Sequence, residues 1–94
     1  MKWLEIIELR SADCNRDQLM SQLHKLSNEV YEETGKQTVT TYGCAQFRSD
    51  FSIHLFHHSK EVEFSGSSLG IRLASALKEF GLVNHSIWIE TNNK

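Results

Sequence analysis

A chain of 94 residues, 39% apolar and 23% charged, with a formal charge of −2, has room for one small domain built around a single core. Those fractions lie near the averages of globular proteins and argue against disorder. The slight acidity gives no electrostatic reason to seek nucleic acid or anionic lipid as a partner.

No apolar run approaches about 18 residues, so no segment reads as a membrane span. The start, "MKWLEIIELRS", carries Glu5 and Glu8 within its apolar stretch and has no small-residue cleavage site, unlike a signal peptide. The two cysteines, Cys14 and Cys44, stand in no metal or redox spacing and read as reduced thiols of a cytoplasmic protein. Proline is absent, so glycines and polar clusters punctuate the chain.

Lys2–Leu9 is short and rich in apolar residues, the pattern of a strand buried on both faces. Asn15 then caps a helix, with Gln18 completing a capping box. Leu19, Leu23, Leu26 and Val30 form its apolar stripe, and Gly35 supplies its C-terminal stop. Gln37–Phe47 has β-branched and aromatic strand content. Arg48-Ser49-Asp50 makes a turn, and Phe51–His58 returns as the partner strand. A second helix begins near Ser68, with Leu69, Leu73, Leu77 and Phe80 on one stripe and Gly81 as its end. Leu82–Glu90 forms the last strand.

The order β-α-β-β-α-β over residues 1–94 predicts one α+β domain, a ferredoxin-like sandwich. It has a four-stranded antiparallel sheet with both helices on one face. The right-handed crossover rule gives strand order 4-1-3-2. A turn at residues 48–50 pairs Phe47 with Phe51, Cys44 with His54, Tyr42 with Phe56 and Thr40 with His58. Alternation along the strands then puts Val39, Thr41, Gly43, Ala45, Ile53 and Leu55 under the helices, beside Leu4, Ile6, Ile87 and Ile89. The other face collects Trp3, Glu5, Ile7, Tyr42, Cys44, His54, Phe56, Ser86 and Trp88. An aromatic face of that size left uncovered marks an interface or a ligand surface.

Element order and face chemistry resemble the dimeric α+β barrel superfamily, in which two ferredoxin-like subunits pack sheet against sheet. The superfamily includes antibiotic-biosynthesis-type, cofactor-independent monooxygenases. The resemblance implies a homodimer without a cofactor, enclosing a pocket between its sheets. Where those monooxygenases often have a Trp late in the third strand and a His early in the following helix, this chain has Phe56 and His58 in "IHLFHHS" and no His in "LGIRLASALKEF".

Several residues carry candidate chemistry. Gly66-Ser67-Ser68-Leu69-Gly70 spells G-x-S-x-G, the elbow of a serine nucleophile. However, only His85, Glu79 and Glu90 follow it as partners. The plainer reading makes Ser67 an N-cap and Gly66 its tight entry turn; Gly66, Ser67 and Ser68 then form a helix start to which an anion can bind. His54 and His58 share a face but lie about 13 Å apart along a strand, and His57 points to the other face, so no metal site is expected. Cys44 opposite His54 pairs a thiol with an imidazole, and Tyr42 adds a hydrogen-bond donor. Glu5, a carboxylate amid apolar neighbours, is either raised in pKa by burial and suited to proton transfer, or paired with Lys2 or Arg10.

Two functions follow. The first is a small homodimeric ligand-binding or structural protein whose pocket is lined by Trp3, Tyr42, Cys44, His54, Phe56 and Trp88. The second is a cofactor-independent monooxygenase or isomerase acting on a small aromatic substrate, with His54 as base and Tyr42 orienting the substrate. An RNA-recognition domain shares the element order, but "DFSIHLFHH" lacks the basic-glycine-aromatic signature of its third strand.

Overall fold

The structure is a computed structural model that describes residues 1–11, 16–34, 39–47 and 49–91, with the backbone alone for residues 16, 26, 27 and 29–34. Its elements follow the predicted order: β1 (Lys2–Ser11), α1 (Arg16–Thr34), β2 (Val39–Gly43), β3 (Asp50–His58), α2 (Ser68–Leu77) and β4 (Gly81–Ile89). A single 3₁₀ turn, Lys78–Phe80, links α2 to β4. The expected caps Asn15 and Gly35, and Cys14, lie outside the described residues, as do the side chains of Leu26 and Val30.

The four strands form one antiparallel sheet in the order β2-β3-β1-β4, which read from the other edge is 4-1-3-2. Leu19 and Leu23 of α1 and Leu73, Ala74 and Leu77 of α2 join Ile7, Leu9, Val39, Phe51, Ile53 and Leu55 in one core. Both helices therefore cover the same side of the sheet, an α+β arrangement compatible with a ferredoxin-like sandwich. Each fully buried Leu or Ile in this layer contributes about 1.5–3 kcal/mol.

Two expectations about the sheet need correction. The first strand presents the opposite faces from those expected. Trp3, Glu5, Ile7 and Leu9 are buried beneath the helices, whereas Leu4 and Ile6 lie half-buried on the open side. The run has apolar residues in both phases, so hydrophobicity alone leaves its orientation undecided. Leu9, opposite Phe51 in β3 and Val83 in β4, adds a third apolar residue to the odd phase, while Glu8 and Arg10 make the even phase polar.

The second correction concerns the hairpin. Gly43 faces Phe51, Tyr42 faces Ser52 and Thr40 faces His54. The connection spans residues 44–49, closed by Cys44 N–H donating to Asp50 O (2.9 Å) and Asp50 N–H to Phe47 O (3.1 Å). Phe47 and Ala45 are exposed in this loop. The pairing is displaced by four residues, an even number, so the faces of β2 and β3 stay as expected although every partner changes.

The orientation of β1 is open to a direct test. Ile7→Ala, in the core, is expected to cost about 2–5 kcal/mol in urea unfolding, whereas Ile6→Ala on the open side should cost clearly less. A larger loss for Ile6→Ala than for Ile7→Ala would place β1 the other way round.

Candidate functional site

The residues with chemistry fall into two places, one inside the fold and one on the open sheet face. The first centres on Glu5. β1 is flanked by β3 and β4, and Glu5 stands directly beside Leu55 and Ile87 in the register. His57 and His85 lie two residues along from these, diagonal to Glu5 and on the same covered face, at separations that long side chains bridge.

The Glu5 side chain is completely buried. The Nε2 of His57 lies 2.6 Å from Oε1, and the Nε2 of His85 lies 2.7 Å from Oε2. An ionised carboxylate only accepts hydrogen bonds, so both ring nitrogens carry the proton. The hydroxyl of Ser67 also donates to Oε1, and the Ser67 backbone N–H gives a further bond. These donors match the roughly four lone-pair sites of a carboxylate. Trp3 stacks on His57 with ring centroids 4.0 Å apart. Its indole N–H donates to Ser59 Oγ at 2.9 Å, which holds the imidazole from behind.

The G-x-S-x-G stretch wraps around this carboxylate. Ser67 is the N-cap of α2, and its Oγ accepts from Gly70 N–H at 3.0 Å while donating to Glu5. Gly66 takes a positive φ of 98° to turn the chain into the helix. A side chain at Gly70 would overlap the carboxylate of Glu5, and one at Gly66 would overlap the His85 ring. The two glycines are therefore needed for close approach. Ser68, the central serine of the motif, is exposed at the first position of α2. The two nearby imidazoles are turned to Glu5 instead, so the motif builds no nucleophile–base pair here. The helix start does hold an anion, but that anion is the chain's own Glu5.

Burial pushes the Glu5 pKa up, but the hydrogen bonds from Ser67, His85 and His57 outweigh it and hold the carboxyl below its ordinary range. This reverses the expected upward shift: an ionised carboxylate with filled lone pairs is a poor proton acceptor. Nor does Glu5 pair with Lys2 or Arg10. Arg10 lies 3.7 Å from Asp50 across the β1–β3 pair. Among the described residues no group of three or more His, Cys, Asp or Glu side chains is arranged to hold a metal ion. His57 and His85 address opposite oxygens of one carboxylate rather than a common point.

The second place is the open face. Tyr42, Phe56 and Trp88 are about half exposed there, at 48%, 51% and 58%, with Leu4 and Ile6 between their strands. Tyr42 leans on His54 (centroids 4.6 Å apart), and His54 neighbours Phe56 at 6.3 Å. Ser52 Oγ lies 3.3 Å from His54 Nε2, and the Trp88 indole N–H donates to Ser86 Oγ at 2.9 Å. Of the expected pocket residues, Tyr42, His54, Phe56 and Trp88 share this face. Trp3 does not, being buried at 4% exposure against His57. Cys44 is free and exposed in the hairpin loop, and His54 faces Thr40 instead, so the expected thiol–imidazole pair is absent from the register.

Two outcomes test the buried cluster. Gly70→Ala is expected to cost about 1–3 kcal/mol in chemical unfolding, because a methyl group must displace Glu5. The lowered pKa of Glu5 means that its folded carboxyl binds protons less readily than its unfolded one. Its contribution is complete above the ordinary carboxylate range and is lost as pH falls through the lowered folded value. Unfolding midpoints measured down an acid series should therefore fall less steeply for Glu5→Gln than for the unaltered chain. Equal slopes would show that Glu5 is not held as an anion.

Compared with protein-family models, curated proteins and solved structures, the chain matches none, so its functional reading rests on these two sets of side chains.

Proposed function

We propose that the chain acts as a small cytoplasmic homodimer whose open sheet faces meet and enclose a partly polar, aromatic pocket for a small molecule. The observation that carries this reading is the uncovered face itself. The helices lie on the other side, yet Tyr42, Phe56 and Trp88 project from the open side half exposed. Contiguous apolar surface of this kind on a water-facing sheet is characteristic of an interface or a ligand site.

The area suits a second copy. Strands of 10, 5, 9 and 9 residues, spaced about 4.8 Å apart and rising about 3.3 Å per residue, present a face of about 520 Å². With the relief of its side chains, that approaches the roughly 800 Å² per partner of a standard interface. Two like faces related by a two-fold axis form a closed pair and leave no further surface for growth. His54, Ser52 and Ser86 supply the polar part of the lining. No helix among the described residues is long and apolar enough to cross a membrane.

Contact between Tyr42 and His54 favours one further reading of the same pocket, a cofactor-independent monooxygenase or isomerase. There His54 takes a proton from a small aromatic substrate and Tyr42 orients it. That reading expects His54→Ala to abolish turnover while the dimer persists.

Light scattering across a dilution series tests the main proposal. A dimer should persist, and Phe56→Asp should yield a monomer with unchanged far-UV circular dichroism. Trp88→Ala, which removes the largest exposed ring of the face, should weaken association by about 2 kcal/mol. A wild-type chain that stays monomeric at every concentration would overturn the pairing.

A further inference from the structure

Across the open face, the register sets Phe56 of β3, Leu4 of β1 and Trp88 of β4 in one row. The two aromatic residues are therefore separated by two strand spacings, about 9.6 Å, with a shorter aliphatic side chain between them. The ring contacts on this face run from Tyr42 to His54 and from His54 to Phe56; Phe56 and Trp88 stand apart. Together with Leu4 they line an open groove on this face. A planar ring placed midway would lie about 4.8 Å from each wall, within the 4.5–7 Å range over which aromatic rings attract one another. The strand spacing thus leaves room for about one ring between Phe56 and Trp88. The Trp88 wall is steadied by its hydrogen bond to Ser86.

The mouth of the groove is charged. Lys2 and Glu90, joined through Glu90 N–H donating to Lys2 O at 3.0 Å, line it at the end where β1 begins and β4 finishes. Among the described residues neither is in an ion pair. One free ammonium and one free carboxylate beside an aromatic slot complement a ligand that carries one negative group, one positive group and a flat ring.

We propose that the Phe56–Leu4–Trp88 slot binds a free aromatic amino acid, its ring between the two walls, its carboxylate towards Lys2 and its ammonium towards Glu90. This rests on reading the open face as the ligand face and adds the class of the ligand.

Calorimetric titration of the full chain with L-tryptophan, indole and L-leucine tests it. L-tryptophan should bind, indole about tenfold more weakly because it lacks both charges, and L-leucine not measurably because it lacks the ring. Leu4→Trp should fill the slot and abolish L-tryptophan binding. Lys2→Ala, at the exposed rim, should weaken L-tryptophan several-fold and leave indole unchanged. Failure of L-tryptophan to bind, or indole binding as tightly, overturns the proposal. Light scattering on the same samples separates the two ideas. A dimer indifferent to L-tryptophan overturns the slot alone, whereas a monomer that binds it supports the slot and removes the pairing.

Discussion

A single buried carboxylate organises the covered side of this protein. An ion the size of a carboxylate loses several kcal/mol of hydration when it leaves water, and it remains inside only if hydrogen bonds replace that hydration. Glu5 meets this demand with donors from His57 of β3, His85 of β4 and Ser67 at the start of α2. Each donor comes from a different element, so satisfying the carboxylate fixes the relative placement of β1, both its neighbours and one helix. The aliphatic contacts of the core are non-directional, whereas the bonds to Glu5 are directional.

The same constraint explains the glycines and the serine of the G-x-S-x-G stretch. The chain entering α2 must approach Glu5 closely enough for Ser67 to bond it with both hydroxyl and backbone. Side chains at positions 66 and 70 would occupy the space of His85 and Glu5. A helix start carries a partial positive charge and free N–H groups, so an internal carboxylate satisfies it as well as an external anion would. The motif thus takes part in folding, and its resemblance to a nucleophile elbow lies in spacing alone.

With Glu5, Trp3, Phe51 and the paired imidazoles turned inward, the remaining aromatic side chains of the sheet are left on the open face. There, polar groups next to the rings contact them, while Glu8, Arg10, Asp50 and Asn84 pair with one another at the far end of the face. Ser86 accepts from the indole of Trp88, and Ser52 and Tyr42 flank His54. The two sides of one sheet therefore differ in kind: the side facing the helices is packed and hydrogen-bonded, and the other leaves its rings half exposed.

The amino-acid sequence by itself determined the element order, the helical stripe from Leu19 to Leu23, Ser67 as a cap and the open position of Tyr42, His54, Phe56 and Trp88, because local periodicity and capping chemistry act within a few residues. It also singled out Glu5 as an anomaly amid apolar neighbours. It misled on which way β1 faces, since Leu4 and Ile6 rival Trp3 and Ile7 and only Leu9, opposite Phe51 and Val83, favours the odd phase. It also left the hairpin register open, since a displacement of four residues preserves every face. Only the tertiary structure brought His57, Ser67 and His85, which are 52, 62 and 80 residues from Glu5 in the chain, onto its two oxygens. Long-range hydrogen bonds of this kind have no period, so the sequence shows the lone carboxylate and the G-x-S-x-G spacing, and the fold alone connects them.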